Sequence, residues 1–226
     1  MPVNYQFQFD AVFASWDYLL TGAWLTIQLS FGAMIIGLAV AIACALGKTS
    51  GPKPVRWLIN AYIEVIRNTP FLVQIFLIFF GLPTMGIRLS PDLAALIAMV
   101  VNVGAYATEI IRAGIESIQK GQIEAGLALG LKPLQVFRYV VLKPALRTVY
   151  PALTSQFILL MLSSSVVSAI SADELTSIAN NIQSQTFRSF EIYIVVTAMY
   201  LAMAMMFSTL FAGIYRLAFA YAIDRR

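Results

Sequence analysis

Long apolar runs alternate with shorter polar stretches along this chain, and five of the runs are long enough to cross a bilayer, which takes about 20 residues. Residues 19–46 are almost wholly apolar, interrupted only by Thr, Gln, Ser and Gly. Residues 57–82 are less uniform: Asn60, Glu64, Arg67 and Asn68 occupy the first half, and Pro70, which has no backbone N–H, predicts a break in the helix. Glu64 and Arg67 lie three apart on one helical face, so they are expected to neutralise each other near the headgroup level. The third run, 92–112, carries Asn102, Tyr106, Thr108 and Glu109, with Arg112 three residues beyond the carboxylate. The fourth, 149–170, contains Ser163, Ser164, Ser165 and Ser168, and the fifth, 192–215, is rich in Met, which fills irregular packing. The pattern predicts an all-α membrane protein: a single domain over 1–226 with five transmembrane helices. A short external segment precedes them, and a polar external loop is expected over 171–191.

One interruption is patterned. Between residues 114 and 147 the chain is too polar for lipid, yet Ile115, Ile118, Ile123, Leu127, Leu131, Leu134, Phe137, Val140 and Val141 recur at helical spacing. Short amphipathic helices are predicted. Gly126 and Gly130 stand four apart on a small-residue surface that admits another backbone, and Gly130 is placed to end the first helix. Pro133 suits the first position of the next helix and pushes Lys132 out of α geometry. The expected product is a rigid helical elbow.

Composition narrows the class. The chain is 60% hydrophobic and 12% charged over 226 residues, which a soluble core does not require. Its pI near 9.3 raises nucleic acid as a partner, but the cations sit at the ends of apolar runs and form no patch, so no nucleic-acid binding is expected. With no His and one Cys, the chain offers no internal disulfide, no His metal site and no His general base. Gly47-Lys48-Thr49 is no phosphate loop, because Ile42 stands where that motif needs Gly. Thirteen of the 15 Lys and Arg residues fall on one side of a five-span topology, Arg225 and Arg226 among them; only Arg88 and Arg188 fall on the other. The positive-inside rule therefore places the 114–147 loop and the carboxyl terminus in the cytoplasm and the amino terminus outside.

Several stretches together resemble one family. Glu124-Ala125-Gly126, with Gly130 six residues after the Glu and Val140-Val141-Leu142 before a Pro, resembles the EAA loop of permease subunits of binding-protein-dependent ABC importers. Gly126 replaces a usual second Ala, and Leu142-Lys143-Pro144 replaces Leu-Pro, moving the proline one residue later. Arg67-Asn68-Thr69-Pro70-Phe71-Leu72-Val73-Gln74 is similar to the R-x-T-P-x-x-x-Q stretch of the polar amino acid permeases. Residues 105–115 and 186–191 also resemble that group. Leu162, Ser163, Ser164 and Ser165 stand where many members have K-D-T-S, so both charges are absent here.

The resemblance implies the type I ABC importer permease fold and a bacterial inner-membrane, multi-pass subunit for polar amino acids. Its coupling helix would seat in a groove of a cytoplasmic ABC ATPase dimer, with Glu124, Leu127, Gly130, Leu131 and Phe137 forming or supporting that interface. A second permease subunit, identical or different, and an external solute-binding protein complete the expected assembly. The chain itself is expected to be non-catalytic and to bind no cofactor; ATP and Mg would be used by the partner ATPase. Polar groups at membrane depth must face protein or water, which makes Asn102, Glu109, Ser163 and Ser164 the candidate substrate contacts. An ion-coupled secondary amino acid transporter, with Glu64 and Glu109 as proton relays, is the alternative. The absence of an evident inverted repeat argues against it.

Overall fold

A computed structural model describes residues 5–219; Met1 to Asn4 at one end, and Arg225 and Arg226 of the cation count at the other, lie outside the described residues. Among the described residues every regular element is helical. A short α1 (Asp10–Ala14) leads into α2 (Trp16–Ser50), which at 1.5 Å per residue is about 52 Å long and exceeds the about 30 Å hydrocarbon layer. Then follow α3 (Lys53–Arg67), α4 (Phe71–Thr84) and α5 (Pro91–Glu116). The 114–147 region resolves into α6 (Lys120–Ala128), α7 (Pro133–Val136) and a π turn (Phe137–Val141) that runs directly into α8 (Leu142–Ser163). A 3₁₀ segment (Ser164–Ile170), α9 (Leu175–Thr186) and α10 (Ser189–Phe219) complete the chain. Four helical segments, 16–50, 91–116, 133–170 and 189–219, are long and apolar enough to span a membrane, and the pair formed by α3 and α4 makes a fifth if counted as one broken span.

The break at Pro70 falls where its missing N–H requires: α3 ends at Arg67 and α4 restarts after Pro70. Two helical stretches go beyond what was expected. The helix that carries the expected fourth span, 149–170, starts well before it, continuing unbroken from the elbow through Pro144 and Pro151. The polar 171–191 loop contains the 12-residue α9, which the density of Ser, Asn, Gln and Thr concealed.

The chain divides into two compact units, Met1–Ala33 with Pro70–Met99 and Leu159–Phe207, and Met34–Thr69 with Val100–Ile158 and Ser208–Arg226. In the first, the core is built from Leu19, Ile75, Met99, Met161, Leu175 and Ile192, all fully buried. Here α9 docks on α2 at Gly22, whose missing Cβ would fall 2.9 Å from the Leu175 Cα. Thr26, one turn on, accepts the Leu175 N–H at 3.3 Å, while the Glu174 carboxylate accepts those of Thr176 and Ser177 at 2.9 Å each. The first three donors of α9, orphaned in any helix, thus all find partners. The Tyr200 hydroxyl also donates to Glu174, at 2.7 Å.

The core of the second unit is rich in small residues, with Ala41, Ala45, Ala105, Ala107 and Ala145 buried at helix contacts. Val103 occupies the space a Cβ of Gly37 would take, and Val149 does the same at Gly114.

Candidate functional site

The elbow has two faces. Ile118, Val141 and Ala145 form a buried cluster against which Ile123 packs, and Gly126, the buried residue of α6, lets Val136 and Val140 come within 3.2 and 3.4 Å of where its Cβ would be. Gly130 ends the helix with φ of +80°, and nothing lies within 4 Å of its missing Cβ. It therefore supplies a turn, and the close approach belongs to Gly126 alone. Pro133 opens α7 as expected, and the Gln135 Oε1 accepts the Lys132 N–H at 2.8 Å. With the inner face satisfied in this way, Leu127, Leu129, Leu134, Phe137 and Tyr139 remain 44–82% exposed. Periodicity grouped all the apolar positions of this region on common faces. The structure separates Ile118, Ile123, Val140 and Val141, which pack inward, from Leu127 and Leu134, which do not; Phe137 is partly exposed but lines an apolar pocket with Ile115 and Val141. Glu124 is exposed on α6 and Leu131 is half-buried.

The candidate substrate residues fall in different settings. On α5, Glu109 accepts from Lys48 Nζ at 2.7 Å and from Arg112 Nη2 at 2.7 Å, and Arg112 reaches on to Glu116 at 2.5 Å. A four-member charge ladder results, joining the end of α2 to the end of α5, and the spacing alone revealed only its Arg112 partner. Asn102 is half-buried seven residues before Glu109 on the same helix. Ser163 is exposed at the end of α8, while Ser164 is buried and its hydroxyl donates to the Met161 carbonyl at 2.7 Å, the usual way a helix satisfies such a group.

Glu64 and Arg67 do not pair, contrary to expectation. Asn68 Nδ2 donates to Glu64 Oε2 at 3.0 Å, and the Arg67 guanidinium lies 5.5 Å above the Tyr106 ring, a cation–π contact across 39 residues of sequence. Glu174, between the last two spans, is a buried carboxylate outside the membrane segments whose titration is displaced upward: burial raises it, and the Thr176 amide, Tyr200 hydroxyl and Ser177 amide only partly offset this. Among the described residues no group of three or more His, Cys, Asp or Glu is arranged to hold a metal ion.

Long apolar helices, with an exposed apolar elbow on a packed inner face and a charge ladder from Lys48 to Glu116, define a membrane transport subunit. The chain belongs to the family of binding-protein-dependent transport system inner membrane components, whose model matches residues 16–226. It is 41% identical over 160 residues to the L-cystine transport system permease protein of Bacillus subtilis (strain 168), covering 71% of this chain and 68% of that one. Against the glutamine transport system permease protein of Escherichia coli (strain K12) it is 36% identical over 205 residues, 90% of this chain and 94% of the relative. Among solved structures it is similar to an amino acid ABC transporter crystallised with histidines, at 38% identity and a TM-score of 0.88, covering 94% of this chain and 99% of that one. The expected type I ABC importer permease fold is thereby borne out.

Proposed function

We propose that this chain is the permease subunit of an ATP-driven importer of polar amino acids. The observation that carries the reading is the elbow: Leu127 and Leu134 are held outward by an inner face that is already packed, so the face is shaped to lie in a partner's groove. That partner is a cytoplasmic ABC ATPase dimer, which hydrolyses ATP with Mg, and the chain itself is non-catalytic. Glu124, Leu127, Gly130, Leu131 and Phe137 form or support the contact. ATPase closure moves the elbow as a unit, and because the π turn and α8 continue from it without a break, displacement passes directly into a membrane helix. The membrane helices then change between outward- and inward-open packings, the alternating access of a bistable assembly.

A second permease subunit completes the pathway and an external solute-binding protein delivers the amino acid. The amino terminus lies outside and the carboxyl terminus in the cytoplasm, on the distribution of Lys and Arg. Asn102, Glu109, Ser163 and Ser164 stand as the substrate contacts, Glu109 acting from within its pairs with Lys48 and Arg112. The amino acid transport systems named for the relatives support the substrate class; no relative supports ion-coupled transport. The test is copurification from membranes in mild detergent, with mass spectrometry of what is retained, comparing wild type with a variant lacking residues 122–135. An ATPase retained by the wild type and lost with the loop is the expected result; no ATPase under several detergents would overturn the reading.

A further inference from the structure

The carboxyl end of α3 holds a small polar cavity of about 240 Å³ lined by Glu64, Arg67, Asn68 and Tyr106. Two opposite charges one helical turn apart would ordinarily pair, and here they are held from each other: Asn68 Nδ2 bridges the Glu64 side chain, at 3.0 Å, and its own-helix carbonyl, at 2.8 Å. Arg67 rests on the Tyr106 face at 5.5 Å and, among the described residues, makes no ion pair. The cavity sits where the helix is interrupted between Arg67 and Phe71. In membrane transporters, irregular backbone is tolerated where it lines a cavity, and broken helices recur at solute sites.

Resting on the proposed amino acid import, we infer that this cavity is a subsite for the zwitterionic head group of the transported amino acid. The ligand's α-carboxylate takes the Arg67 fork, a planar donor set suited to a carboxylate and already oriented by the Tyr106 ring. Its α-ammonium takes Glu64, with Asn68 holding that carboxylate in place. Side chains three apart on a helix have Cβ atoms about 5–6 Å apart, a gap that one head group bridges. The cavity falls below the about 300 Å³ at which pockets begin to enclose a drug-sized ligand, so it holds a head group and leaves the side chain outside. Tyr106 lies on the same face of α5 as Asn102, one turn before it, and Glu109, one turn after it. The proposed contacts on that helix thus continue from this subsite. Recognition here reads what all α-amino acids share, and selectivity among them is set elsewhere.

The experiment uses the transporter purified with its partner subunits, in nanodiscs for binding and ATPase activity and in proteoliposomes for uptake. Binding and ATP-driven uptake of tritiated L-glutamine, L-cystine and L-arginine are measured first, to choose the probe. N-acetyl and α-amide derivatives of that probe are then compared on the wild type, Arg67→Met, Arg67→Lys and Glu64→Gln. Removing one charge-assisted pair weakens the parent amino acid about ten- to a hundred-fold. The α-amide should lose little further on Arg67→Met, and the N-acetyl compound little further on Glu64→Gln. Arg67→Lys should recover part of the loss, and retained subunit stoichiometry with basal ATPase activity shows that each variant is assembled. Unchanged affinity in all three variants, with wild-type uptake intact, overturns the subsite and leaves the importer reading standing. So does loss of a bound phospholipid from Arg67→Met in native mass spectrometry without change in amino acid affinity. A wild-type complex that neither binds nor transports any of the three amino acids overturns both.

Discussion

Replacing Gly22 by Ala tests the seat of α9 on α2. An Ala in the middle of a helix is normally better than Gly by about 1 kcal/mol, so the local effect favours the variant. Packing opposes it. The new Cβ would lie 2.9 Å from the Leu175 Cα and 3.1 Å from its N, and these are backbone atoms that no rotamer change can move. Restoring ordinary contact at 3.4 Å requires α9 to retreat by about 0.5 Å, and overpacking of this kind costs about 1–3 kcal/mol. The same retreat stretches the Leu175 N–H to Thr26 Oγ1 bond, already 3.3 Å, to about 3.8 Å, beyond hydrogen-bond range, at a further cost of about 0.5–1.5 kcal/mol. The sum is a destabilisation of about 2 kcal/mol, or a fall in melting temperature of about 4–8 °C for a chain of this size. Thermal unfolding of the detergent-solubilised chain, followed by loss of the monodisperse peak on size-exclusion chromatography, measures it. Gly213→Ala on α10, where nothing lies within 4 Å, is the control and should be neutral or stabilising. A Gly22→Ala variant that melts at or above the wild-type temperature would refute the argument.

Three further outcomes follow from the geometry. Gly130→Val forces a β-branched residue to φ of +80° and should strain the elbow by about 1–3 kcal/mol; substrate-stimulated ATPase activity should fall while membrane insertion, read by fractionation, is unaffected. Glu109→Gln and Lys48→Met should each destabilise by about 1 kcal/mol after allowing for partial solvent screening, and the double variant by less than their sum; additive melting shifts would show that the pair is not coupled. Glu174 has a folded-state pKa above its unfolded value, so its contribution to stability is fully present below the ordinary carboxylate range. That contribution is lost as pH rises from that range through the raised value, so the melting temperature of Glu174→Gln relative to wild type should rise over the same interval; a difference that does not change with pH would contradict it.

Features set by a single residue's backbone chemistry are legible in the sequence: the break at Pro70, the helix-ending turn at Gly130 and the helix start at Pro133. Long apolar runs announced the spans for the same reason, since crossing lipid leaves few alternatives. Choices among competing partners were not legible. Helical spacing offered Arg67 to Glu64, but Asn68 and the distant Tyr106 took the two charges instead. Lys48, 61 residues before Glu109, became that carboxylate's second cation, a relation no local pattern contains. Helix α9 was overlooked because its polar content read as loop, although Leu175, Ile178, Ala179 and Ile182 keep a helical period and Glu174 precedes them as a cap. Of the candidate site, the elbow's existence was plain from periodicity; which of its apolar residues turn inward was decided by Gly126, whose small size draws Val136 and Val140 to one side.

The π turn bears on how the elbow keeps its register with the membrane helix that follows. Leu142 donates its N–H to Phe137, five residues back, where an α-helix would reach back four. Such a turn stores one additional residue without ending the helix. Two residues beyond Leu142 stands Pro144, displaced by one position from the spacing the resembling loops have. The turn acts as a vernier: it holds one residue more than an α turn would, and so sets which faces the elbow before it and the membrane helix after it present. Deleting one residue from 137–141 is then a conservative edit, returning the segment to α geometry, whereas the same deletion a turn later would rotate every lipid- and protein-facing position of α8.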